Sequence, residues 1–82
     1  MIEEFKNKAI AIIDDEQEIL DVFKDMINSH ININIYDFNS SLKAIESLQD
    51  GFQPNVFLVD IRMPKMNGLE FIAKLKKMNI GR

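Results

Sequence analysis

The sequence has no cysteine, so no disulfide can staple an 82-residue chain that is too short for two domains and buries only a modest share of its surface. Its stability must come from a well-patterned core or from a partner. Positive charge is also in short supply. Ten Lys and Arg against thirteen Asp and Glu leave a net charge of -3, which argues against this domain gripping nucleic acid through its own surface. No apolar run approaches the roughly 20 residues that cross a bilayer, and the opening "MIEEFKNK" lacks the charged-then-apolar form of a signal peptide. Repeats, low-complexity tracts and Gly/Ser linkers are absent. A single soluble, cytoplasmic domain without membrane contact is the expectation.

What is present is a pattern of three strand-then-helix units. Strands are expected at about 8–13, 32–37 and 55–60, and helices at about 16–28, 40–50 and 68–78. The first strand, "KAIAII", is apolar on both faces, as in a parallel sheet covered on both sides. The helix after it places Ile19, Leu20, Phe23, Met26 and Ile27 on one stripe, with Asp15 available as its cap. In the second strand Ile31, Ile33 and Ile35 alternate with asparagines, which suggests one covered face and an edge position. Asn39, Ser40 and Ser41 open the second helix, Leu42, Ile45 and Leu48 form its apolar positions, and Gly51 stops it. Pro54 precedes the third strand, "NVFLVD". A loop with Pro64 and Gly68 follows. The last helix is capped by Asn67, with Ile72 and Leu75 inward and Phe71 and Met78 flanking.

A βαβαβα order predicts a parallel α/β sheet, whose functional groups gather outside the C-terminal ends of its strands. Asp14 and Asp15 end the first strand and Asp60 ends the third. If those strands are neighbours, three carboxylates meet at one rim. Each close pair repels by roughly 4 kcal/mol at 4 Å with an effective dielectric near 20. A divalent cation resolves that repulsion, and hard oxygen ligands at a small open site suit Mg²⁺. The cation would also let a phosphoryl group approach Asp60, which could then act as a nucleophile and form an aspartyl phosphate. A solvated turn is the plainer explanation for an isolated acid pair; the position of Asp60 favours the metal site. Glu16 reads as a first-turn acid favoured by the helix dipole. His30, the single histidine, falls at the other end of the sheet and reads as a loop residue. Lys74 to Lys77, "KLKK", reads as the solvated end of the last helix.

Two segments carry a family likeness. "IIDDEQEIL" and "FLVDIRMPKMNGLEF" resemble the receiver domains of bacterial two-component response regulators, and the likeness runs the length of the chain in order and spacing. It implies a flavodoxin-like three-layer sandwich, here truncated to (βα)3 with parallel strand order 2-1-3. It implies a phosphoacceptor module rather than a turnover enzyme, with Asp60 taking a phosphoryl group from a sensor histidine kinase or phosphotransfer protein. By the same likeness Asp15 ligates Mg²⁺ directly, Asp14 acts mainly through water, Asp60 and the backbone carbonyl of Arg62 complete the protein's share, and Pro64 and Gly68 shape the loop, Gly68 by tolerating unusual backbone angles. A complete receiver continues for two more strand-helix units, which carry a Ser/Thr, a Lys and a switch aromatic that this chain lacks. Lys65 and Lys74 do not replace that Lys. With order 2-1-3 the apolar third strand becomes an unguarded edge, and such an edge invites pairing. The chain is therefore expected to self-associate through that strand, to exchange elements with a second copy, or to be a fragment of a longer regulator. The alternative function is a phosphorylation-independent dimerisation or interaction module on the same scaffold.

Overall fold

The computed structural model describes residues 3–63 and 65–78. Its elements run β1 (Ala9–Ile13), α1 (Gln17–Asn28), β2 (Asn34–Phe38), α2 (Ser41–Gln49), β3 (Val56–Val59) and α3 (Gly68–Lys77). The three strands are parallel in the order β2-β1-β3. β1 sits in the centre, Ala11 lying beside Tyr36 on one side and Phe57 on the other. This is the three-unit, flavodoxin-like arrangement that the sequence led us to expect. No helix among the described residues is long and apolar enough to cross a membrane.

The pleat of β1 divides the interior. Ala11 and Ile13 point into the main core, with Ala44, Ile45 and Leu48 of α2 and Phe71 and Leu75 of α3. Ile12 points the other way, toward α1, whose Leu20 is buried. Two helices thus cover one face of the sheet and one helix covers the other. The difference leaves apolar surface exposed on the α1 side, at Ile19, Val22, Met26, Val56 and Leu58.

Several expectations are corrected by this packing. Met26, assigned to the helix core, is 52% exposed, because only Leu20 of α1 reaches full burial under a single-helix layer. In α3 the inward residue is Phe71, fully buried, and Ile72 is 43% exposed. The helix is rotated so that the Phe71 ring meets the edge of Phe57 at a centroid distance of 6.1 Å. In α2 the buried small residue is Ala44, while Leu42 is exposed. The second strand begins at Asn34, not 32, because the Asn34 side-chain amide and backbone N–H both donate to the Lys8 carbonyl at the start of the ladder. Gly51 does end α2's exit, with φ at +107°, a conformation other residues resist.

The helix starts differ in chemistry. Ser40 caps α2 by accepting from the Lys43 N–H at 3.1 Å. Asn67 caps α3 through a full capping box, accepting from the Glu70 N–H at 2.9 Å while the Glu70 carboxylate accepts from the Asn67 N–H. Asp15 does not cap α1. Glu16 holds that position and makes no side-chain cap.

Candidate metal and phosphoacceptor site

The site begins where two neighbouring strands stop. The Asp60 N–H donates to the Ile13 carbonyl at 2.9 Å, and the Asp14 N–H donates to the Phe38 carbonyl at 3.1 Å. The ladders therefore continue one residue past the strand ends and fix both acids at the same rim. Each carboxylate is then oriented by the backbone two residues on. Asp14 Oδ1 accepts from the Glu16 N–H at 2.9 Å, and Asp60 Oδ1 accepts from the Arg62 N–H at 3.1 Å. One oxygen of each acid is held, and the other is left to face its neighbours.

Asp14, Asp15 and Asp60 each offer a carboxylate oxygen, and all three lie within 4.8 Å of one another. Asp14 is buried, Asp60 half-buried and Asp15 exposed. Burial pushes the Asp14 carboxyl above its ordinary value; the Glu16 N–H opposes this, and the Asp60 and Asp15 charges add to it. Among the described residues the one ion pair is Lys24–Asp37, on another part of the surface. Among the described residues, the trio thus has no cationic side chain in contact to offset its charge. Its donors are hard oxygens at a small, open site, and its charge is uncompensated, so the residues present fit a Mg²⁺ ion.

The groups around the trio come from three loops. Asp14, Glu16, Asp60 and Arg62 line one cleft between α1 and β3. Asp15 lines a second with Ser40, Ser41, Met63 and Lys65. Gly68 supports Asp60 in a way different from the one the sequence suggested. Its backbone angles are not in the left-handed region, which among the glycines described belongs to Gly51. A Cβ on Gly68 would sit 2.6 Å from the Asp60 carbonyl oxygen and 2.9 Å from the Ile61 Cα. Glycine is required there so that the start of α3 can lie against the end of β3, where the Gly68 N–H donates to the Ile61 carbonyl at 3.0 Å. Pro64, expected to shape this loop, lies outside the described residues.

One supporting residue was missed. Ser41 is buried, and its hydroxyl donates to the Met66 carbonyl at 2.9 Å, with the Met63 sulfur 3.6 Å away. It ties the loop after β3 to the first turn of α2. The sequence offered only the polar run Asn39, Ser40 and Ser41 before an apolar helix, and Ser40 is the cap, so nothing marked Ser41 as the loop anchor.

The chain and its fold have counterparts in known proteins. The family model for the response regulator receiver domain matches residues 10–81. An uncharacterized response regulatory protein of Yersinia pestis is 36% identical over 67 residues, covering 80% of this chain and 28% of that protein. A protein-glutamate methylesterase/protein-glutamine glutaminase of Thiobacillus denitrificans is 33% identical over 69 residues, covering 84% of this chain and 19% of that one. The crystal structure of the N-terminal domain of a response regulator receiver protein from Methanoculleus marisnigri superposes with a TM-score of 0.74 at 29% identity, over 83% of this chain and 54% of that one. The chain thus spans less than a third of these curated relatives and about half of this solved structure.

Proposed function

The chain belongs to the response regulator receiver family, and on that premise we propose that Asp60 is its phosphoacceptor. The observation that carries this is the convergence of Asp60 with Asp14 and Asp15 within 4.8 Å at the C-terminal ends of β1 and β3. An oxygen of the Asp60 carboxylate attacks the phosphorus of a phosphohistidine on a sensor kinase or phosphotransfer protein. The new P–O bond forms as the P–N bond breaks, and the histidine nitrogen keeps the bonding pair. The Arg62 N–H holds Asp60 Oδ1, so the other oxygen is the one presented for attack. Asp15 would ligate Mg²⁺ directly, Asp14 would act mainly through water, and Asp60 and the Arg62 carbonyl would complete the protein's ligands. Bound Mg²⁺ would offset the repulsion between these acids and the incoming phosphoryl oxygens.

Receivers in general are phosphoacceptor signalling modules, not turnover enzymes, and the chemistry proposed here is one transfer followed by slow hydrolysis at the same carboxylate. A cytoplasmic setting goes with that role. We extend the reading to a second partner, another copy of this chain, associating through β3.

Incubation with a small-molecule phosphodonor and Mg²⁺, followed by intact-mass measurement, tests the assignment. One phosphoryl adduct is expected on the wild-type chain. It should be lost in Asp60→Asn and fall at least roughly tenfold in rate when Mg²⁺ is chelated. An adduct that persists in Asp60→Asn would move the acceptor elsewhere.

A further inference from the structure

Ser41 is a buried polar residue to which the chemistry at Asp60 assigns no task. It is 4% exposed and is the first residue of α2. The helix start does not need its hydroxyl, because Ser40 supplies the cap by accepting from the Lys43 N–H. The Ser41 hydroxyl instead leaves its own helix. It donates to the Met66 carbonyl at 2.9 Å, and the Met63 sulfur lies 3.6 Å from the same oxygen. Among the described residues, no other group of α1, α2 or the strands hydrogen-bonds to positions 62–67.

That loop carries the backbone of Arg62, the residue immediately before Met63. The Arg62 N–H holds Asp60 Oδ1 at 3.1 Å, and its carbonyl is the ligand proposed above for Mg²⁺. On the side of α3 the loop is closed by the Gly68 N–H on the Ile61 carbonyl. This contact fixes the base of the loop and leaves open how far it leans toward Asp15. A cleft of about 190 Å³ has the start of α2 as one wall and the loop as the other, with Asp15, Ser41, Met63 and Met66 in its lining. The Ser41 hydroxyl joins the two walls.

We propose that Ser41 is a positioning residue of the site: its hydroxyl holds the loop after β3 against α2, so that the Arg62 backbone stays in place for both Asp60 and Mg²⁺. The proposal rests on the reading of Asp60 as a Mg²⁺-assisted phosphoacceptor and deepens it by naming what holds the ligand loop.

Two arguments support a hydroxyl at this point. A backbone carbonyl has no rotamer with which to adjust, so its place as a ligand is the place of the chain, and a loop fastened to a rigid helix start is already in position when an ion arrives. A loop that must be ordered at that moment loses affinity to the cost of ordering it. The second argument is what happens without the hydroxyl. The Met66 carbonyl then has no protein donor and must turn to water in the cleft. Met63 is 8% exposed and packs in the main core, so the loop shifts but does not come away.

Mg²⁺ titrated into the chain by calorimetry is the test. Ser41→Ala should bind the ion at least roughly fivefold more weakly, somewhat less than the loss usual for a partner in direct contact with a ligand, because Ser41 acts through the backbone. Ser41→Thr keeps the donor and should recover most of the affinity. Ser40→Ala removes the cap of the same helix and leaves the Ser41 bond, so it should lose stability but bind Mg²⁺ as the wild type does. In metal-free protein the Arg62 amide proton should exchange faster in Ser41→Ala and not in Ser40→Ala, a change visible by NMR without any phosphoryl transfer. Phosphorylation of Ser41→Ala should be slow at low Mg²⁺ and approach the wild-type rate at saturation, because the loss lies in assembling the ligands and not in the nucleophile. Wild-type Mg²⁺ affinity in Ser41→Ala, an equal loss in Ser40→Ala, or no recovery in Ser41→Thr would overturn the role of the hydroxyl and leave Asp60 as the acceptor. A wild-type chain that neither binds Mg²⁺ nor takes a phosphoryl group would overturn the reading of the site, and the role of Ser41 with it.

Discussion

The two edges of this sheet are built in opposite ways. Along β2 the exposed positions are Asn34, which spends its side chain on the Lys6 and Lys8 carbonyls, and Tyr36, while on the other face Asp37 pairs with Lys24 at 3.3 Å. Along β3 the outward positions are Val56 and Leu58, with no charge inside the strand. Both strands pair with the same central partner. What separates them is how well each edge suits water. A strand meant for solvent carries polar groups that discourage pairing, and one that carries none is suited to a neighbour. The acidic rim sits at the end of the edge that is unguarded.

The largest expected effect comes from removing what supports the β3 edge from beneath. Phe71 is fully buried and its ring meets Phe57 edge-on. Phe71→Ala should cost about 3–5 kcal/mol, enough to unfold most of a domain this small in a denaturant titration. Ile72→Ala, one residue along and 43% exposed, should change stability by less than about 1 kcal/mol. Equal losses at the two positions would mean that α3 is rotated from the orientation described. Next in size is Gly68→Ala. Its Cβ would meet the Asp60 carbonyl at 2.6 Å, and backbone must move to relieve it, at about 1–3 kcal/mol. Since that movement shifts the end of β3, the phosphorylation rate of Asp60 should fall with it. A stable variant with unaltered phosphorylation would show that the contact is dispensable.

The contrast between the edges also explains what could be read from the residues alone. Alternating Ile and Asn marked β2 as an edge, and the unbroken "VFLV" marked β3 as a strand meant to be covered. The first signal depends on a period of two residues and the second on a continuous apolar run, and short strands still display both. The acid trio was legible because each member interrupts an apolar run at its C-terminal end. Helix faces were less so. Phe71 and Ile72 are adjacent and equally apolar, and which of them turns inward depends on the angle at which α3 meets β3. That angle is set by the close approach at Gly68, a tertiary contact with no local signature. The Asp15 cap failed because α1 begins one residue later, with Glu16 at the cap position, a boundary that the adjacent acids do not mark. Ser41 was hidden because its partner, the Met66 carbonyl, is 25 residues away.

A smaller effect tests whether the acidic rim is a liability until a cation arrives. The Asp14 carboxyl binds its proton more tightly in the fold than in the unfolded chain, chiefly because it is buried. Ionising it therefore costs stability. The cost sets in as pH rises past the ordinary value of 3.8, grows until the folded group has titrated, and is fully present above that. In metal-free solution Asp14→Asn should raise Tm by a few degrees at neutral pH and by less near pH 4. An asparagine Oδ1 still accepts from the Glu16 N–H, so the gain would come from charge and not from a lost bond. With Mg²⁺ in excess the order should reverse, because the variant binds the ion more weakly. A gain that is the same at both pH values would point to packing instead.

The least effect is expected where the polar edge looks strongest. Lys24 and Asp37 form an ion pair, but both side chains are about one-third exposed, at 34% and 27%. Water screens such a pair, and ordering two flexible chains offsets much of the attraction, so Lys24→Ala should cost less than about 1 kcal/mol. Asp37 keeps the Gln17 amide at 3.4 Å as a second neighbour. The protection that β2 gives the sheet should survive this change, because it comes from polar groups that prefer water to another strand and not from the energy of one bond. Lys24→Ala should therefore leave the oligomeric state as it was. If it instead promotes association through β2, the charge itself guards that edge, and the difference between the two edges is narrower than their sequences make it.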